Sequence, residues 1–414
     1  MSRRNFIVGS AAAAAALSSK NVLAHGVRPD QIKIGLIGCG GRGTGAATNA
    51  IEATDEVVIW AMADVFPDRM ASSKRNLAAG AKEKFQVTDD RTFIGFDAYK
   101  HVLDTDIDVV IIATPPGFRP AHVVAAVEAG KHIFMEKPVA VDGPGIRKVI
   151  RASVRAKGKG LAIVAGTQRR HDNAYNECMD RIRSGQIGDV VASYAYWNQG
   201  GLWMHPRKDE WSDLEWQMRN WLYFTWLSGD HICEQHIHNI DVCNWAHGGH
   251  PVKCTSLAGR EVRTDPAYGH VFDHFSTEYT YEDGSIMMSS CRQIDGCVSK
   301  VAEHIVGTKG VTNGNKYING ENRWRFEGER PNSYVLEHRN LHESIRSGNL
   351  LNEGVRVAES TLTAIMGRMS AYTGQEISWD QAFSSDEVLM PEDIDWNMDL
   401  AIPEVAVPGK TALS

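Results

Sequence analysis

The sequence lacks an excess of positive charge, a regular set of cysteines and a long apolar segment beyond its N-terminus. Its 414 residues include 44 Lys and Arg against 51 Asp and Glu, a net charge of −7. This balance argues against a general nucleic-acid binder, which normally has a basic surface. The seven cysteines are odd in number and follow no disulfide-framework spacing, so we expect most of them to be buried apolar residues. Because no apolar run past the N-terminal segment is long enough to cross a bilayer, no membrane span is expected in the mature chain.

The N-terminal segment has the three parts of an export signal. It reads MSRRNFIVGSAAAAAALSSKNVLAHG, with paired arginines, a short Ala-rich apolar stretch and small residues up to Ala24, where the cut is expected. Arg3 and Arg4, followed by Phe6, resemble the twin-arginine type; an ordinary secretory signal with two incidental arginines is the alternative. Residues 1–24 are therefore predicted to be a twin-arginine-type signal peptide, and the mature protein is predicted to be periplasmic or otherwise exported.

The remaining chain shows two patterns, which predict an α/β fold with two domains. Over residues 31–166, short apolar strands such as QIKIGLI and DVVIIATPP alternate with helices of ten or more residues, which predicts a doubly wound parallel sheet of the Rossmann type. Over residues 167–380 we predict an α+β domain with a large open, mainly antiparallel sheet, because polar and apolar residues alternate between Gly-containing turns. Helices are expected around 172–184, 230–246 and 354–373, the last packing back on the first domain. Residues 381–414 are predicted to be an extended surface arm.

A glycine turn in the first domain predicts a dinucleotide site. Gly38-Cys39-Gly40-Gly41-Arg42-Gly43 fits GxGxxG and lies between a predicted strand and a predicted helix, as phosphate binding at a helix N-terminus requires. Asp64 ends the next strand, where a carboxylate accepts hydrogen bonds from a ribose 2′-hydroxyl and repels a 2′-phosphate. NAD is therefore favoured over NADP. The alternative is a glycine turn in an α/β protein that binds no dinucleotide.

Further motifs resemble one family. Ala113-Thr114-Pro115-Pro116, His122, Glu136-Lys137-Pro138 and the segment 166–190 resemble the Gfo/Idh/MocA oxidoreductases. The resemblance implies that Lys137 stands beside the nicotinamide and the reacting sugar hydroxyl, where a cation stabilises a developing alkoxide. It also implies a homodimer or homotetramer joined through the open sheet face of the second domain. With the glycine turn, the predicted cofactor residues are Gly38, Gly40, Gly41, Arg42, Gly43, Asp64, Thr114, Pro115, Pro116, His122, Glu136, Lys137 and Gln168.

The stretch GDHICEQHIHNID, residues 229–241, resembles the second catalytic element of that family. Glu234, His238 and Asp241 have the spacing of the family's Asp, His and Asp, and in a helix they share one face with His231. The resemblance implies that His238 is an acid/base residue and that Glu234 takes the place of the usual Asp. A zinc site on this face is the alternative. We expect no metal, because Cys233 and His236 point to other sides of the helix and no HExxH pattern is present.

An aromatic cluster predicts a carbohydrate substrate. Six of the eleven tryptophans fall between Trp197 and Trp226, and aromatic faces suit the C–H surfaces of sugars. The alternative for any one of them is a place in the core or in a subunit interface. The predicted substrate residues are Arg169, Trp197, Arg219, Trp221, His231, Glu234, His238 and Asp241; the predicted catalytic residues are Lys137, His238 and Glu234.

Three functions stay open at this point. The first is an exported NAD-dependent oxidoreductase that acts on a hydroxyl of a sugar, glycoside or polyol with tightly bound cofactor. The second is an NAD-dependent glycoside hydrolase that oxidises, eliminates, hydrates and reduces, with no net redox change. The third is a sugar-binding protein without catalysis. Export favours a closed hydride cycle, because free NAD(H) is not expected to be recycled outside the cytoplasm.

Overall fold

The computed structural model describes residues 31–413, so the predicted signal peptide lies outside the described residues. The first sheet has six parallel strands in the order β3-β2-β1-β4-β5-β6. They are β1 (Ile32–Ile37), β2 (Val57–Asp64), β3 (Thr92–Ile94), β4 (Val109–Ile112), β5 (His132–Met135) and β6 (Ile163–Ala165). The helices in this part are α1 (Gly41–Ala53), α2 (Pro67–Ala81), α3 (Ala98–Leu103), α4 (Arg119–Glu128) and α5 (Gly143–Gly158). Ile34, Ile59 and Ile111 are fully buried, as expected for parallel strands covered on both faces.

The second sheet has nine strands in the order β14-β13-β12-β11-β7-β10-β9-β8-β15. They are β7 (Val190–Gln199), β8 (Lys253–Gly259), β9 (His274–Thr280), β10 (Ile286–Gln293), β11 (Lys300–Gly307), β12 (Gly310–Thr312), β13 (Tyr317–Gly320), β14 (Trp324–Arg325) and β15 (Ile377–Ser378). All neighbours pair antiparallel except β7 and β10, which are parallel. The predicted fold class, a doubly wound parallel sheet followed by a mainly antiparallel one, is confirmed.

Helices connect and cover the two sheets. Those of the second part are α6 (Asn173–Arg183), α7 (Asp213–Arg219), α8 (Thr225–Ser228), α9 (His231–Glu234), α10 (Ile237–His247), α11 (Ser333–Ser347), α12 (Gly354–Thr373) and α13 (Trp379–Ser384). Helix α12 is buried along most of its length, and it joins the first domain where Arg368 Nη1 donates to the Val141 carbonyl at 2.8 Å. It therefore lies between the helices of the first sheet and the strands of the second.

The predicted helix over 230–246 is two helices in the structure. Helix α9 ends at Glu234 and α10 begins at Ile237, and the N–H of His236 donates to the His231 carbonyl five residues back. The carbonyl of Glu234 accepts a hydrogen bond from Lys137 Nζ, while the N–H of His238 donates to Gln235 instead. The wider turn is the single-turn π geometry that is frequent at functional sites.

Beyond α13 the chain runs to residue 413 without a regular helix or strand. Its apolar side chains, including Leu389, Ile394, Trp396 and Leu400, pack against a buried aromatic cluster. We call residues 385–413 the C-terminal arm. The packing of these side chains anchors the arm to the body of the protein.

Two further properties of the described residues bear on the sequence predictions. All seven cysteines are unpaired, and six of them are buried, which confirms the expectation for most of them. Within residues 31–413, none of the helices combines the length and apolar character needed to cross a bilayer.

Buried histidines predict a loss of stability in acid. Burial lowers the pKa of His122 and His236 to about 3, and that of His247, His270 and His342 to about 4, from an ordinary 6.5. The unfolded chain therefore binds more protons than the folded chain below about pH 6.5, so the free energy of unfolding falls as the pH drops from there towards 4. Melting temperatures measured between pH 7.5 and pH 4.5 should show this fall, with little change above about pH 7.

A matched pair of variants assigns the effect to buried imidazoles. His236 is fully buried, with Nε2 2.8 Å from Ser289 Oγ, whereas His101 is exposed on α3. His236→Gln should flatten the dependence of stability on pH, and His101→Gln should leave it unchanged. Equal dependence in both variants would contradict the assignment.

Candidate active site

A cleft of about 640 Å³ opens at the carboxyl ends of β1, β2, β4 and β5, where ligands bind in doubly wound sheets. Most of the predicted site residues line it. Those present are Gly38, Gly40, Gly41, Arg42, Gly43, Asp64, Thr114, Pro115, His122, Glu136, Lys137, Arg219, Trp221, Glu234 and His238. Those outside the lining are Pro116, Gln168, Arg169, Trp197, His231 and Asp241.

The glycine turn at one wall of the cleft fits a dinucleotide pyrophosphate. A Cβ on Gly43 would lie 1.8 Å from the Gly38 carbonyl oxygen, and Gly38 itself has φ +94°, so neither position accepts a side chain without strain. A Cβ on Gly40 or Gly41 would meet no atom within 4 Å, because both face open space at the start of α1. Helix α1 has no side-chain cap, which leaves its first N–H groups directed at the cleft.

Asp64 marks the end of the cleft where a ribose would lie. Its Oδ2 accepts from the Cys39 N–H at 2.5 Å and its Oδ1 from the Phe66 N–H at 2.8 Å, so the carboxylate also holds the glycine turn in place. Burial raises the pKa of Asp64, and the two backbone donors and Arg69 oppose that rise. Arg69 lines the cleft beside this carboxylate.

A chain of charges runs behind the pyrophosphate position. Arg42 Nε donates to Glu136 Oε1 at 2.5 Å, and Arg42 Nη2 lies 3.4 Å from Glu337 Oε1. Its guanidinium also lies 4.9 Å from the ring centroid of Tyr334, on α11. Burial, and then the charge of Glu136, raises the pKa of Glu337 well above its ordinary value. Arg42 therefore tethers α11 to the nucleotide wall, with Tyr334 facing the cleft.

The other end of the cleft holds the predicted catalytic residues. Lys137 Nζ lies 3.0 Å from Glu234 Oε1 and also donates to the Glu234 carbonyl, and both side chains are largely buried. Glu234 Oε2 is buried with no hydrogen-bond partner among the described residues. The ring of His238 stacks on Trp197 at 5.6 Å. Burial, and then the charge of Lys137, lowers the pKa of His238 well below its ordinary value, so the imidazole is neutral at neutral pH.

His122, another predicted cofactor residue, supports the wall between the two ends. Its Nδ1 lies 3.1 Å from Thr114 Oγ1, and its ring packs on Tyr99 at 4.3 Å. Burial, and then the charge of Arg119, lowers the pKa of His122 to about 3. The imidazole is therefore uncharged at neutral pH and packs beside the Thr114-Pro115 turn.

The predicted stripe of four side chains on one helix is wrong. His231 turns away to Asp230, with Nδ1 3.1 Å from Oδ1, and Asp241 is buried in a two-pronged ion pair with Arg170 at 2.8 and 2.9 Å. The wide turn at Gln235 and His236 separates these two residues from Glu234 and His238. Asp241 therefore ties α10 to the segment that leads out of the first domain.

Three other predicted residues lie behind the cleft or along its rear wall. Arg169 pairs with the buried Glu303, which also accepts from Asn239 Nδ2 at 2.6 Å. Trp197 supports His238 from behind. Gln168 Nε2 donates to the Tyr334 hydroxyl at 3.0 Å, so it reaches the site through that ring.

The aromatic cluster divides into lining and core. Trp203, His205 and Trp221 line the cleft, whereas Trp216 and Trp226 are buried in the core. Arg219 lies at the Asp64 end, with Nη2 3.0 Å from Asp68 Oδ1 and its guanidinium 4.1 Å from the Phe66 ring centroid. Arg219 therefore places the end of this aromatic segment beside Asp68 and Phe66, at the Asp64 end of the cleft.

Within the described residues, no group of three or more His, Cys, Asp or Glu side chains is arranged to hold a metal ion. The side chains of GDHICEQHIHNID that resembled a zinc cluster point in three directions: to Lys137, to Asp230 and to Arg170.

Comparison with known families agrees with this geometry. Residues 32–165 match the GFO_IDH_MocA model, an oxidoreductase family with an NAD-binding Rossmann fold, and residues 175–312 match the GFO/IDH/MocA C-terminal domain. Together the two matches cover more than half of the chain. The chain belongs to the GFO/IDH/MocA family. The resemblance seen in Ala113-Thr114-Pro115-Pro116 and the Glu136-Lys137-Pro138 motif is thereby confirmed at the level of the family.

The individual curated relatives of this chain are distant. Inositol 2-dehydrogenase of Acidothermus cellulolyticus is 26% identical over 55% of this chain and 57% of that protein. The 2,7-anhydro-N-acetylneuraminate hydratase of Escherichia coli is 23% identical over 60% of this chain and 62% of that protein. The chain thus spans about 60% of the length of these curated relatives.

A solved structure shares the fold. The scyllo-inositol dehydrogenase of Lactobacillus casei, with bound NAD(H) and scyllo-inositol, aligns with a TM-score of 0.64 at 20% identity, covering 84% of this chain and 99% of that one. At this identity the likeness concerns the fold alone.

Several lining residues of this GFO/IDH/MocA protein were missed by the sequence reasoning. Arg69, Tyr99, His205 and Tyr334 all contribute to the cleft, as does Trp203 of the predicted aromatic cluster. The aromatic run had pointed to the region of Trp203 and His205. No local sequence pattern points to Tyr334, because it lies on helix α11, nearly two hundred residues after the Glu136 motif.

Proposed function

We propose that this protein is an NAD-dependent oxidoreductase that acts on a hydroxyl of a sugar, glycoside or polyol and keeps its cofactor tightly bound. The carrying observation is the Lys137–Glu234 pair beside a neutral His238, in the same cleft as a glycine turn open to a pyrophosphate. The names of the two curated relatives, a dehydrogenase of a polyol and a hydratase of an anhydro sugar, support a substrate of this class.

The proposed roles follow from charge and position. Bound NAD⁺ would supply the hydride acceptor. Lys137, held by two oxygens of Glu234, donates a hydrogen bond to the substrate oxygen and stabilises negative charge that develops on it. The neutral imidazole of His238 accepts the hydroxyl proton. Glu234 positions Lys137, and its unpartnered Oε2 is available to a second substrate hydroxyl.

Asp64 supports NAD over NADP. Its carboxylate ends β2 at the ribose position, where it would repel a 2′-phosphate. Arg69 lines the cleft beside Asp64, and its planar guanidinium is suited to stacking on a flat base. An arginine at this position is therefore compatible with a ribose that carries no 2′-phosphate.

Export and assembly complete the proposal. A twin-arginine-type signal in residues 1–24 would send the folded protein to the periplasm, where a retained cofactor avoids the need for free NAD. A homodimer or homotetramer would cover the outer face of the second sheet, where Leu257 is 81% exposed and Tyr194 stacks beside Tyr196.

A second candidate is an NAD-dependent, redox-neutral cleavage of glycosides by oxidation, elimination, hydration and reduction. The hydratase among the relatives favours it, and so would the proposed export of the protein. His238 and Lys137 would then take part in transferring the proton that is lost from the carbon next to the oxidised one. A sugar-binding protein without catalysis is the third candidate function.

One experiment separates the three. The full-length protein is purified, its nucleotide is extracted and identified, and the intact protein is incubated with free sugars, polyols and glycosides without added cofactor. A keto product with a matching amount of NADH supports the oxidoreductase, and aglycone release without net NADH supports the redox-neutral cleavage. Sugar binding without any conversion supports the third candidate function. Absence of nucleotide binding under all conditions would contradict both enzymatic proposals.

A further inference from the structure

The Asp64 end of the cleft is walled by aromatic rings from distant parts of the chain. Phe66 follows β2 and Phe96 follows β3, and both line the cleft. Trp396 of the C-terminal arm packs on both, with ring centroids 5.7 Å from Phe66 and 4.9 Å from Phe96. The arm therefore supports two rings that line this end of the cleft.

Residues 202–221, which we call the aromatic lobe, also contribute to the wall of the cleft. It presents Trp203, His205 and Trp221 to the cleft. Arg219, at its end, binds Asp68 of α2 through both terminal nitrogens at 3.0 and 3.2 Å and lies on the face of Phe66. The lobe belongs to the second domain, so this contact closes the two domains over the Asp64 end.

The arm also braces the lobe. Gln217 Nε2 donates to the Leu400 carbonyl at 2.7 Å, and Gln217 Oε1 accepts from Trp226 Nε1 at 2.8 Å. The arm is itself anchored to the first domain, where the Leu389 N–H donates to Asp142 Oδ2 at 3.0 Å. The first domain, the lobe and the arm thus form one connected covering.

We propose that the aromatic lobe and the C-terminal arm enclose the adenosine half of the bound dinucleotide and keep it in place between turnovers. This inference rests on the proposed function, because it assigns the Asp64 end to adenosine. Flat aromatic rings and the guanidinium of Arg69 match the faces of a purine. Release of the nucleotide would require the lobe to leave α2, with loss of the Arg219–Asp68 pair and of the contact on Phe66.

Nucleotide release from two variants tests the covering. Trp396→Ala removes the ring that supports Phe66 and Phe96, and we expect bound NADH to dissociate on the order of tenfold faster. Asp68→Asn weakens the tie of Arg219 to α2 from a largely exposed position that tolerates change, and we expect release about two- to fivefold faster. The measurements are the nucleotide content after gel filtration and the rate at which excess NAD⁺ displaces bound NADH, followed by its fluorescence.

Matched controls isolate the effect. Trp379 lies on α13 and stacks on His250 at 3.5 Å, away from the cleft, so Trp379→Ala should release NADH at the wild-type rate. Asp106→Asn breaks the surface pair with Lys33 in the same domain and should also have no effect. Wild-type release rates in both Trp396→Ala and Asp68→Asn would overturn the inference while leaving the proposed function intact. A wild-type protein that binds no dinucleotide would instead refute the proposed function.

Discussion

Replacing Lys137 with methionine is expected to lower turnover by about 10²- to 10⁴-fold while NAD stays bound. Methionine keeps the apolar stem of the side chain but removes the ammonium that contacts Glu234 Oε1 at 3.0 Å and the Glu234 carbonyl. The substrate oxygen then loses its cationic hydrogen-bond donor. The glycine turn and Asp64 are untouched, so the nucleotide site should persist. Turnover of a substrate found in the panel, together with extracted nucleotide, measures both parts.

The control for this change is Lys33→Met. Lys33 lies on β1 of the same domain and pairs with Asp106 at the surface. It should retain full turnover, which shows that loss of a lysine from this domain is not harmful by itself. Turnover of Lys137→Met close to that of the wild type would contradict the assigned role of Lys137. Simultaneous loss of bound NAD would show instead that Lys137 holds the cofactor site together.

Replacing Asp241 with alanine is expected to lower the free energy of unfolding by about 3–5 kcal/mol. Asp241 is 1% exposed and accepts hydrogen bonds from Arg170 at 2.8 and 2.9 Å and from Ser360 Oγ at 2.7 Å. Arg356 lies 3.5 Å away. Truncation would leave the buried guanidinium of Arg170 without its carboxylate, close to Arg356, which keeps its pair with Glu353 at 2.8 Å. Chemical denaturation followed by circular dichroism measures the change.

The matched control is an aspartate in an exposed pair. Asp89 pairs with Lys74 at the surface of the first domain, so Asp89→Ala should leave the denaturation midpoint unchanged within error. A loss of stability in Asp241→Ala no larger than in Asp89→Ala would show that the Asp241 network does not hold α10 in place. The pKa of Asp241 is lowered, because its arginine partners outweigh the effect of burial. Its contribution to stability is thus present at neutral pH and lost only in strong acid.

Much of the nucleotide site could be predicted because its determinants are local in the chain. The turn Gly38–Gly43 follows β1 directly and begins α1, and Asp64 ends the next strand, so strand, turn and helix patterns place all of them at one sheet edge. Period-2 alternation likewise predicted β7 to β11. The first sheet was predictable for the same reason, since its strands are short apolar runs between clear turns.

The arrangement of GDHICEQHIHNID could not be predicted from spacing. An ideal helix places His231, Glu234, His238 and Asp241 on one face, but Lys137, from 97 residues earlier, takes the Glu234 carbonyl and the helix widens there. His231, the first residue of that face, pairs with Asp230, and Asp241, the last, pairs with Arg170. Each of these contacts joins residues whose meeting depends on how the two domains pack.

By itself, the sequence determined the class of fold and the glycine turn with its carboxylate, and its resemblance to the family singled out Lys137 and His238 as candidates for the chemistry. Tertiary structure alone decided that Glu234 holds Lys137, that Asp241 is a structural anchor, and that Arg219 lies at the nucleotide end against Asp68 and Phe66. The physical reason is the range of the interactions. The patterns that form strands, turns and helices depend on residues that are close in sequence. Buried charged groups pair with residues from distant parts of the chain, which only the packing of the chain brings together.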